Sequence, residues 1–300
     1  MLKVSNISKS YENVQALNDI SFDLRKGELF GLIGPDGSGK TSLFRILATL
    51  LLSDKGQVLF EGRDIVQDYR YVRNNVGYMP GRFSLYQDLT VRENLEFFAT
   101  IFNTSFEKNK HLIEDIFKQL EPFQSRKAGD LSGGMKQKLA LSCALIHKPT
   151  VLLLDEPTTG VDAISRKEFW QMLQRLKEEG MSILVSTPYM DESKLCDRIA
   201  LIQEGKLMGV DKPSEIVASF DKCVYQIKGE QLYNLLSKLR SMEDIESAYP
   251  FGSSLHVYAA TGLDLKSNIE SLFPEVNVQV DVIEPDIEDT FMNLMTSKDG

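Results

Sequence analysis

The chain reads as an α/β protein: a parallel sheet core, an antiparallel β edge and an inserted helical subdomain, followed by a small α+β module of ferredoxin-like order. Three observations predict this. Short apolar runs at 29–33, 151–154 and 182–186 alternate with helix-patterned stretches, which is the βαβ arrangement of a sheet buried on both faces. The first thirty residues instead alternate apolar and polar, as an antiparallel edge with one wet face does. After Pro213 the composition shifts, and from Cys223 the order becomes strand, helix, strand, strand, helix, strand. A chain of 300 residues has room for two domains, expected at 1–213 and 222–300, with the helical subdomain at about 85–148 inside the first.

The elements follow in order. Leu2, Val4 and Ile7 open the first strand and a turn falls at Glu12 and Asn13. Ile20, Phe22 and Leu24 then alternate with Ser21, Asp23 and Arg25. The apolar run at 29–33 suits a central strand leading into a glycine-rich loop and a helix over 41–52. Residues 89–119 read as helical: Thr90 and Glu93 form a capping box ahead of Leu95, Phe97 and Phe98. Ile113, Ile116, Phe117 and Leu120 then repeat with helical spacing. A helix over 165–178 joins the two later apolar strands. In the C-terminal module Leu232, Leu235, Leu236 and Leu239 share one helix face. Val276, Val278, Val280 and Val282 alternate with Asn277, Gln279 and Asp281 in the last strand, and Ile287, Phe291, Leu294 and Met295 line a final helix.

Acidic residues outnumber basic ones, 43 to 34, for a formal net charge of -9, which argues against a nucleic-acid partner. Cys143, Cys196 and Cys223 lie far apart and match no metal spacing, so they read as buried free thiols in a reducing compartment. The N-terminus lacks the apolar centre of a signal peptide. No apolar run approaches the ~20 residues that cross a bilayer; the longest, 43–52, carries Arg45 and Thr49. A cytoplasmic chain is expected, reaching a membrane only through a partner.

Gly34, Pro35, Asp36, Gly37, Ser38, Gly39, Lys40 and Thr41 fit G-x-x-x-x-G-K-[ST] between a strand and a helix. Glycines let backbone N–H groups turn toward phosphate oxygens, and the helix N-terminus adds its dipole. Lys40 is expected on the β- and γ-phosphates and Thr41 on Mg²⁺. Asp36, a carboxylate next to phosphates, is expected to point outward. Asp155 ends an apolar strand, where an unpaired buried carboxylate is costly. It is expected to support Mg²⁺ from the outer coordination sphere, while Glu156 orients the attacking water and accepts its proton. The plain alternative is a strand-end pair capping a neighbouring helix. Between these segments runs Leu131, Ser132, Gly133, Gly134, Met135, Lys136, Gln137 and Lys138. Ser132 suits a helix N-cap, and the two glycines stand where Ala makes a better helix.

This order and spacing resemble the ATP-binding-cassette (ABC) ATPases from Met1 to about Pro213. The resemblance implies the P-loop NTPase fold of an ABC cassette, with ATP and Mg²⁺ as ligands. It implies two cassettes stacked head to tail, so that Leu131, Ser132, Gly133, Gly134 and Gln137 cover the nucleotide held by the neighbour. It implies that Tyr11 stacks on adenine, against the alternative of a strand aromatic. It implies that Thr159 and Asp162 belong to the loop joining the two sites, against the alternative of a turn with Asp162 as an N-cap. Residues 284–291 resemble the tail of daunorubicin-resistance-type multidrug exporter ATPases. That implies an integral-membrane permease partner, a second cassette, and a place on the inner face of the cell membrane. Phe83, Leu85 and Tyr86 are a candidate groove for the permease, or subdomain core.

The chain departs from the family at two positions. Gly81 stands where the family has a Gln near Mg²⁺ and the attacking water, and Pro188 stands where it has a His on the γ-phosphate. Neither residue offers a side-chain donor. Each lost contact is worth about 2–4 kcal/mol, on the order of 10²–10³ in rate, so near-normal binding with weakened hydrolysis is expected. Replacement of the pair by Tyr189 or a water is the alternative. His111, His147 and His256, placed in or beyond helices, read as structural or solvated. Paired with a complete cassette, the chain would make one competent site and one slow site; paired with itself, two slow sites. The rival functions are an ATP-gated clamp that hardly turns over, and a soluble DNA-repair or translation ABC protein. The latter needs a coiled-coil insertion or second cassette, and basic surfaces, which this sequence lacks.

Overall fold

In the computed structural model, residues 1–82, 84–230, 232–259, 263, 265–272 and 278–296 are described. They fall into two units, Met1–Pro213 and Ser214–Gly300.

In the first unit Leu2–Tyr11 (β1) and Val14–Leu24 (β2) form an antiparallel pair through the turn at Glu12, which takes a left-handed φ of 49°. Ile20, Phe22 and Leu24 are buried while Ser21 and Asp23 are exposed, as their alternation dictates. Leu29–Ile33 (β3) is wholly buried and leads to Lys40–Leu47 (α1). Lys55–Phe60 (β4) and Arg63–Asp64 (β5) complete a four-stranded antiparallel sheet in the order β2-β1-β4-β5. Then come Tyr69–Asn75 (α2), Val76–Met79 (β6), Val91–Ile101 (α3), Phe106–Asn109 (α4), Glu114–Leu120 (α5) and Gly133–Leu145 (α6). Val151–Asp155 (β7), Ala163–Glu178 (α7), Ser182–Thr187 (β8), Arg198–Gln203 (β9) and Lys206–Asp211 (β10) follow. The central sheet runs β10-β9-β3-β8-β7-β6, parallel except for β10.

Two helices differ from their sequence patterns. The helix expected over 41–52 stops at Leu47, because Thr49 turns left-handed (φ 59°) and the Leu50 and Leu51 amides fold back on the Arg45 carbonyl at 2.8 and 3.2 Å. The stretch 89–119 is not continuous. α3 has its capping box, with Thr90 Oγ1 accepting from the Glu93 amide and Glu93 accepting from the Thr90 amide. It ends where Asn103 goes left-handed (φ 57°), a conformation Asn tolerates, and Ser105 then caps α4. A 3-10 turn at Lys110–Ile113 links α4 to α5.

The second unit opens near Pro213–Ala218 (α8) and continues through Cys223–Gly229 (β11), Leu232–Leu239 (α9), Ile245–Phe251 (β12), Ser254–Ala259 (β13), Leu265–Leu272 (α10), Val278–Ile283 (β14) and Ile287–Thr296 (α11). The sheet is antiparallel in the order β12-β13-β11-β14, which is the pairing of a ferredoxin-like βαββαβ unit. Leu235, Leu236 and Leu239 pack into its core. Val276, Asn277 and the groove candidate Phe83 lie outside the described residues. Within β14 the alternation fails at Val282, which is 65% exposed on the edge strand.

Candidate nucleotide site

In an open parallel sheet the crevice at the carboxyl ends of the strands is where ligands bind. β3, β8 and β7 are adjacent there, and each delivers one part of the site. After β3 the chain turns through 34–39 into α1. A Cβ on Gly34 would lie 2.1 Å from the Ile202 carbonyl oxygen, and Gly39 combines φ 103° with an Ala16 carbonyl 2.3 Å from any added Cβ. Only glycine fits either position. The Gly34 amide donates to the Thr187 carbonyl of β8 at 3.3 Å. Lys40, its side chain buried, donates to the Gly34 and Pro35 carbonyls at 2.8 Å each and lies 3.1 Å from Glu156 Oε1. Asp36 is exposed. Ser38 Oγ is buried without a hydrogen-bond partner, as is Thr104 Oγ1 elsewhere; at Ser38 the hydroxyl sits within the turn of an anion-binding loop. Tyr11, at the end of β1, reaches Ser42 Oγ at 3.2 Å, next to Thr41, and its ring is 41% exposed.

β7 ends on Asp155, 1% exposed, whose Oδ1 accepts from Ser186 Oγ at 2.8 Å. Burial pushes the Asp155 carboxyl up, against hydrogen bonds from Ser186 and Thr41. A carboxyl raised by desolvation beside a threonine hydroxyl is a donor set suited to a hard divalent cation, whose charge would reverse the shift. Glu156 takes a left-handed φ of 50°, and its amide donates to both the Ser186 hydroxyl (2.9 Å) and carbonyl (3.1 Å). Such a backbone costs on the order of 1–3 kcal/mol and persists only where its surroundings hold it.

Gly81 and Pro188 both border this site. A Cβ on Gly81 would sit 3.0 Å from the Asp155 carbonyl oxygen and 3.8 Å from Glu156 Cβ. Pro188 follows Thr187, and the next amide, of Tyr189, donates to Thr187 Oγ1 at 3.1 Å. The Tyr189 ring lies 4.8 Å from the Arg166 guanidinium, so that ring is already engaged.

The other candidates gather at a separate corner. Ser132 caps α6, accepting from the Met135 amide at 3.4 Å. Gly133 faces the Gly160 carbonyl, while a Cβ on Gly134 would lie 2.5 Å from Ser165 Oγ. The second glycine therefore has a packing reason within the chain, which the helix-propensity argument missed. Leu131 is buried and Gln137 half-buried. Thr159 Oγ1 reaches Glu156 Oε2 at 3.5 Å. Asp162 is the N-cap of α7, accepting from the Ser165 and Ile164 amides, which hold its carboxyl below the usual range. The structure thus brings 132–134 against 158–165, with the latter segment joined to the nucleotide loop through Glu156.

Sequence reasoning missed Ser186 and Glu192, polar groups buried around the ends of β7 and β8. The only signal was a Ser-Thr pair closing the apolar run 183–185. His256 is not near a helix end but in β13, where its Nδ1 donates to Asp289 Oδ1 at 2.7 Å. His111 is exposed. His147 stacks on Phe102, with ring centroids 3.7 Å apart. Cys143 and Cys196 are buried, but Cys223 is only half-buried. Leu85 lines a cavity of about 630 Å³ with Tyr69, Val72, Met79, Phe98 and Phe102. Tyr86 is instead half exposed and packs edge-on to Phe97. Among the described residues, no cluster of three or more His, Cys, Asp or Glu could hold a metal, and no helix is long and apolar enough to cross a membrane.

A phosphate loop and a strand-end acidic pair on a six-stranded sheet, with the 131–138 segment between them in sequence, define an ABC cassette. The chain belongs to the ATP-binding proteins of ABC transporters, a class of ATPases, and the ABC transporter family model matches residues 17–159. It is similar to exporter proteins in particular. The Nod factor export ATP-binding protein I of Rhizobium sp. (strain N33) is 31% identical over 297 residues, covering 98% of this chain and 96% of that one. The probable multidrug ABC transporter ATP-binding protein YbhF of Escherichia coli (strain K12) is 38% identical over 287 residues, 93% of this chain; the chain spans only 49% of that protein's length. Among solved structures, an ATP-binding subunit of an ABC transporter superposes with a TM-score of 0.67 at 26% identity, over 73% of this chain and 93% of that one. A dimeric post-hydrolysis cassette bound to ADP and Pi superposes with a TM-score of 0.64 at 26% identity, over 71% and 98%.

Proposed function

We propose that this chain is the subunit that binds and hydrolyses ATP to drive a membrane exporter, working through an integral-membrane permease and a second cassette from the inner face of the membrane. The observation that carries the reading is the meeting of Lys40, Asp155 and Glu156 at the carboxyl ends of β3 and β7, beside a glycine-rich loop whose Ser38 hydroxyl is buried without a partner. Lys40, Ser38 and the turned amides of 34–39 bind the phosphates. Tyr11 offers its exposed ring to the base, and Thr41 with Asp155 holds Mg²⁺. That ion, when bound, neutralises developing phosphate charge. Glu156 takes the proton of the attacking water. Ser132, Gly133, Gly134 and Gln137 cap the nucleotide of the facing cassette, with Asp162 carried on the adjoining loop. The cavity beside Leu85 is offered to the permease.

Gly81 and Pro188 support slow turnover at this chain's own site, and with it a second reading: an ATP-gated clamp whose work is done by binding, paired with a complete cassette. Purification of the chain with its membrane partner, followed by ATP turnover and subunit stoichiometry, tests both. Turnover abolished by Glu156→Gln supports the hydrolysing subunit. ATP-driven pairing with turnover no faster than the Glu156→Gln background supports the clamp. Failure to bind ATP or to copurify with a membrane protein overturns both.

A further inference from the structure

A buried carboxylate ties together the segments around the site described above. Glu192 lies in the 3-10 turn Met190–Leu195 that follows Pro188, and it is 2% exposed. Its Oε2 accepts from Thr187 Oγ1 at 2.5 Å, and its Oε1 accepts from Thr158 Oγ1 at 3.0 Å. Arg166 Nε stands 3.8 Å from Oε1, and the same guanidinium reaches Asp191 at 3.5 Å. Thr158 and Thr187 are themselves buried, so neither hydroxyl has water as a substitute partner.

Each of these partners leads directly into the nucleotide site. The Thr187 carbonyl holds the Gly34 amide, and its neighbour Ser186 holds Asp155 and the Glu156 amide. Thr158 belongs to the short segment between Glu156 and Asp162, where the Thr159 amide donates to the Glu156 carbonyl and the Val161 amide to the Thr158 carbonyl. Arg166 lies in the first turn of α7, one turn beyond Asp162, whose carbonyl accepts its amide. One side chain thus joins the end of β8, the loop bearing Glu156 and Asp162, and the start of α7.

We propose that Glu192 is a positioning residue for ATP hydrolysis: it clamps Thr158 to Thr187, so that Glu156 and the 158–162 segment keep a fixed relation to the 34–41 loop. The proposal rests on the reading of the chain as an ATP-hydrolysing subunit. The family's His is replaced by Pro188, and no side chain at 188 can hold this region to the nucleotide. The clamp from Glu192 makes its contacts without one. A left-handed Glu156 needs surroundings that hold it, and the Glu192 contacts are part of those surroundings.

The test compares Glu192→Ala and Glu192→Gln in the full chain. Gln keeps one acceptor oxygen for Thr187, and its NH₂ can donate to a rotated Thr158 hydroxyl, so it preserves the two bonds while removing the charge. We expect Ala to lower kcat at least tenfold with ATP affinity within threefold of the parent, and Gln to restore kcat to within threefold. Amide hydrogen exchange without nucleotide should accelerate at least tenfold across 156–162 in the Ala variant, with α6 unchanged and Gln near the parent. Equal losses of kcat and ATP affinity, a Gln variant as slow as Ala, or unchanged exchange at 156–162 would each overturn the proposal. A parent chain that binds ATP but never turns it over sinks the hydrolysis reading instead, and the exchange arm still decides whether Glu192 is the clamp.

Discussion

Lys40 Nζ stands 3.1 Å from Glu156 Oε1 while also donating to the Gly34 and Pro35 carbonyls. The loop cation and the carboxylate that follows β7 therefore meet directly across the site. Lys40→Ala is expected to weaken ATP binding at least tenfold, and Glu156→Gln to keep binding within about threefold while lowering turnover ~10²-fold or more. Equilibrium binding and single-turnover assays on the same preparations separate the two effects.

Restoring Gly81→Gln and Pro188→His together is expected to raise single-turnover hydrolysis at least tenfold. The geometry adds a cost. The Cβ at position 81 meets the Asp155 carbonyl at 3.0 Å, so that carbonyl must yield by a few tenths of an ångström. Gly81→Ala, which brings the Cβ without the amide, is the control. It should lower the thermal midpoint as the Gln variant does but leave turnover unchanged. A double variant no faster than the parent would show that the missing side chains do not limit hydrolysis.

The two glycines that open α6 should behave differently. Gly134→Ala drives a Cβ to 2.5 Å from Ser165 Oγ, an overpacking expected to cost about 1–3 kcal/mol in urea unfolding whether or not ATP is present. Gly133→Ala meets only the Gly160 carbonyl at 3.7 Å and should leave stability within about 0.5 kcal/mol. If Gly133 faces a neighbour's nucleotide, its Ala variant will lose ATP-dependent pairing in gel filtration while remaining folded.

His147, half-buried against Phe102, is a pH liability. Burial depresses its imidazole to about 4, and the hydrogen bond to the Val76 carbonyl only partly opposes this. An unfolded histidine titrates near 6.5, so between about 6.5 and 4 the unfolded chain binds the extra proton. Stability is then whole above about 6.5 and falls toward pH 4, by up to ~1.4 kcal/mol per pH unit. His147→Phe, stacking on Phe102 without a titratable ring, should flatten urea midpoints measured between pH 7 and 4.5.

Asp289 fixes α11 to the second unit's sheet. Burial alone would raise its carboxyl, but hydrogen bonds from His256, the Asp286 amide and Tyr258 hold it below the usual carboxylate range. That stability is present above about pH 4 and lost as pH falls through the lower folded value. Asp289→Ala strands the buried His256 and Tyr258 and is expected to cost about 3–5 kcal/mol. Calorimetry of the full chain should show a lowered transition that is less sensitive to acid than the parent's.

Sequence by itself determined the sheet core, the glycine-rich loop, the acidic strand end and the βαββαβ module. Each rests on local periodicity, or on a residue type whose backbone freedom or charge has few uses: Gly34 and Gly39 where no Cβ fits, Lys40 behind them, Asp155 closing an apolar run. Tertiary structure decided what spacing cannot encode. It stopped α1 at Leu47 and broke 89–119 at Asn103, because one left-handed residue outweighs an unbroken apolar rhythm. It set Gly134 against Ser165, brought Gly81 beside Asp155, and joined Thr158, Thr187 and Glu192, since contacts between segments far apart in sequence depend on how whole elements pack.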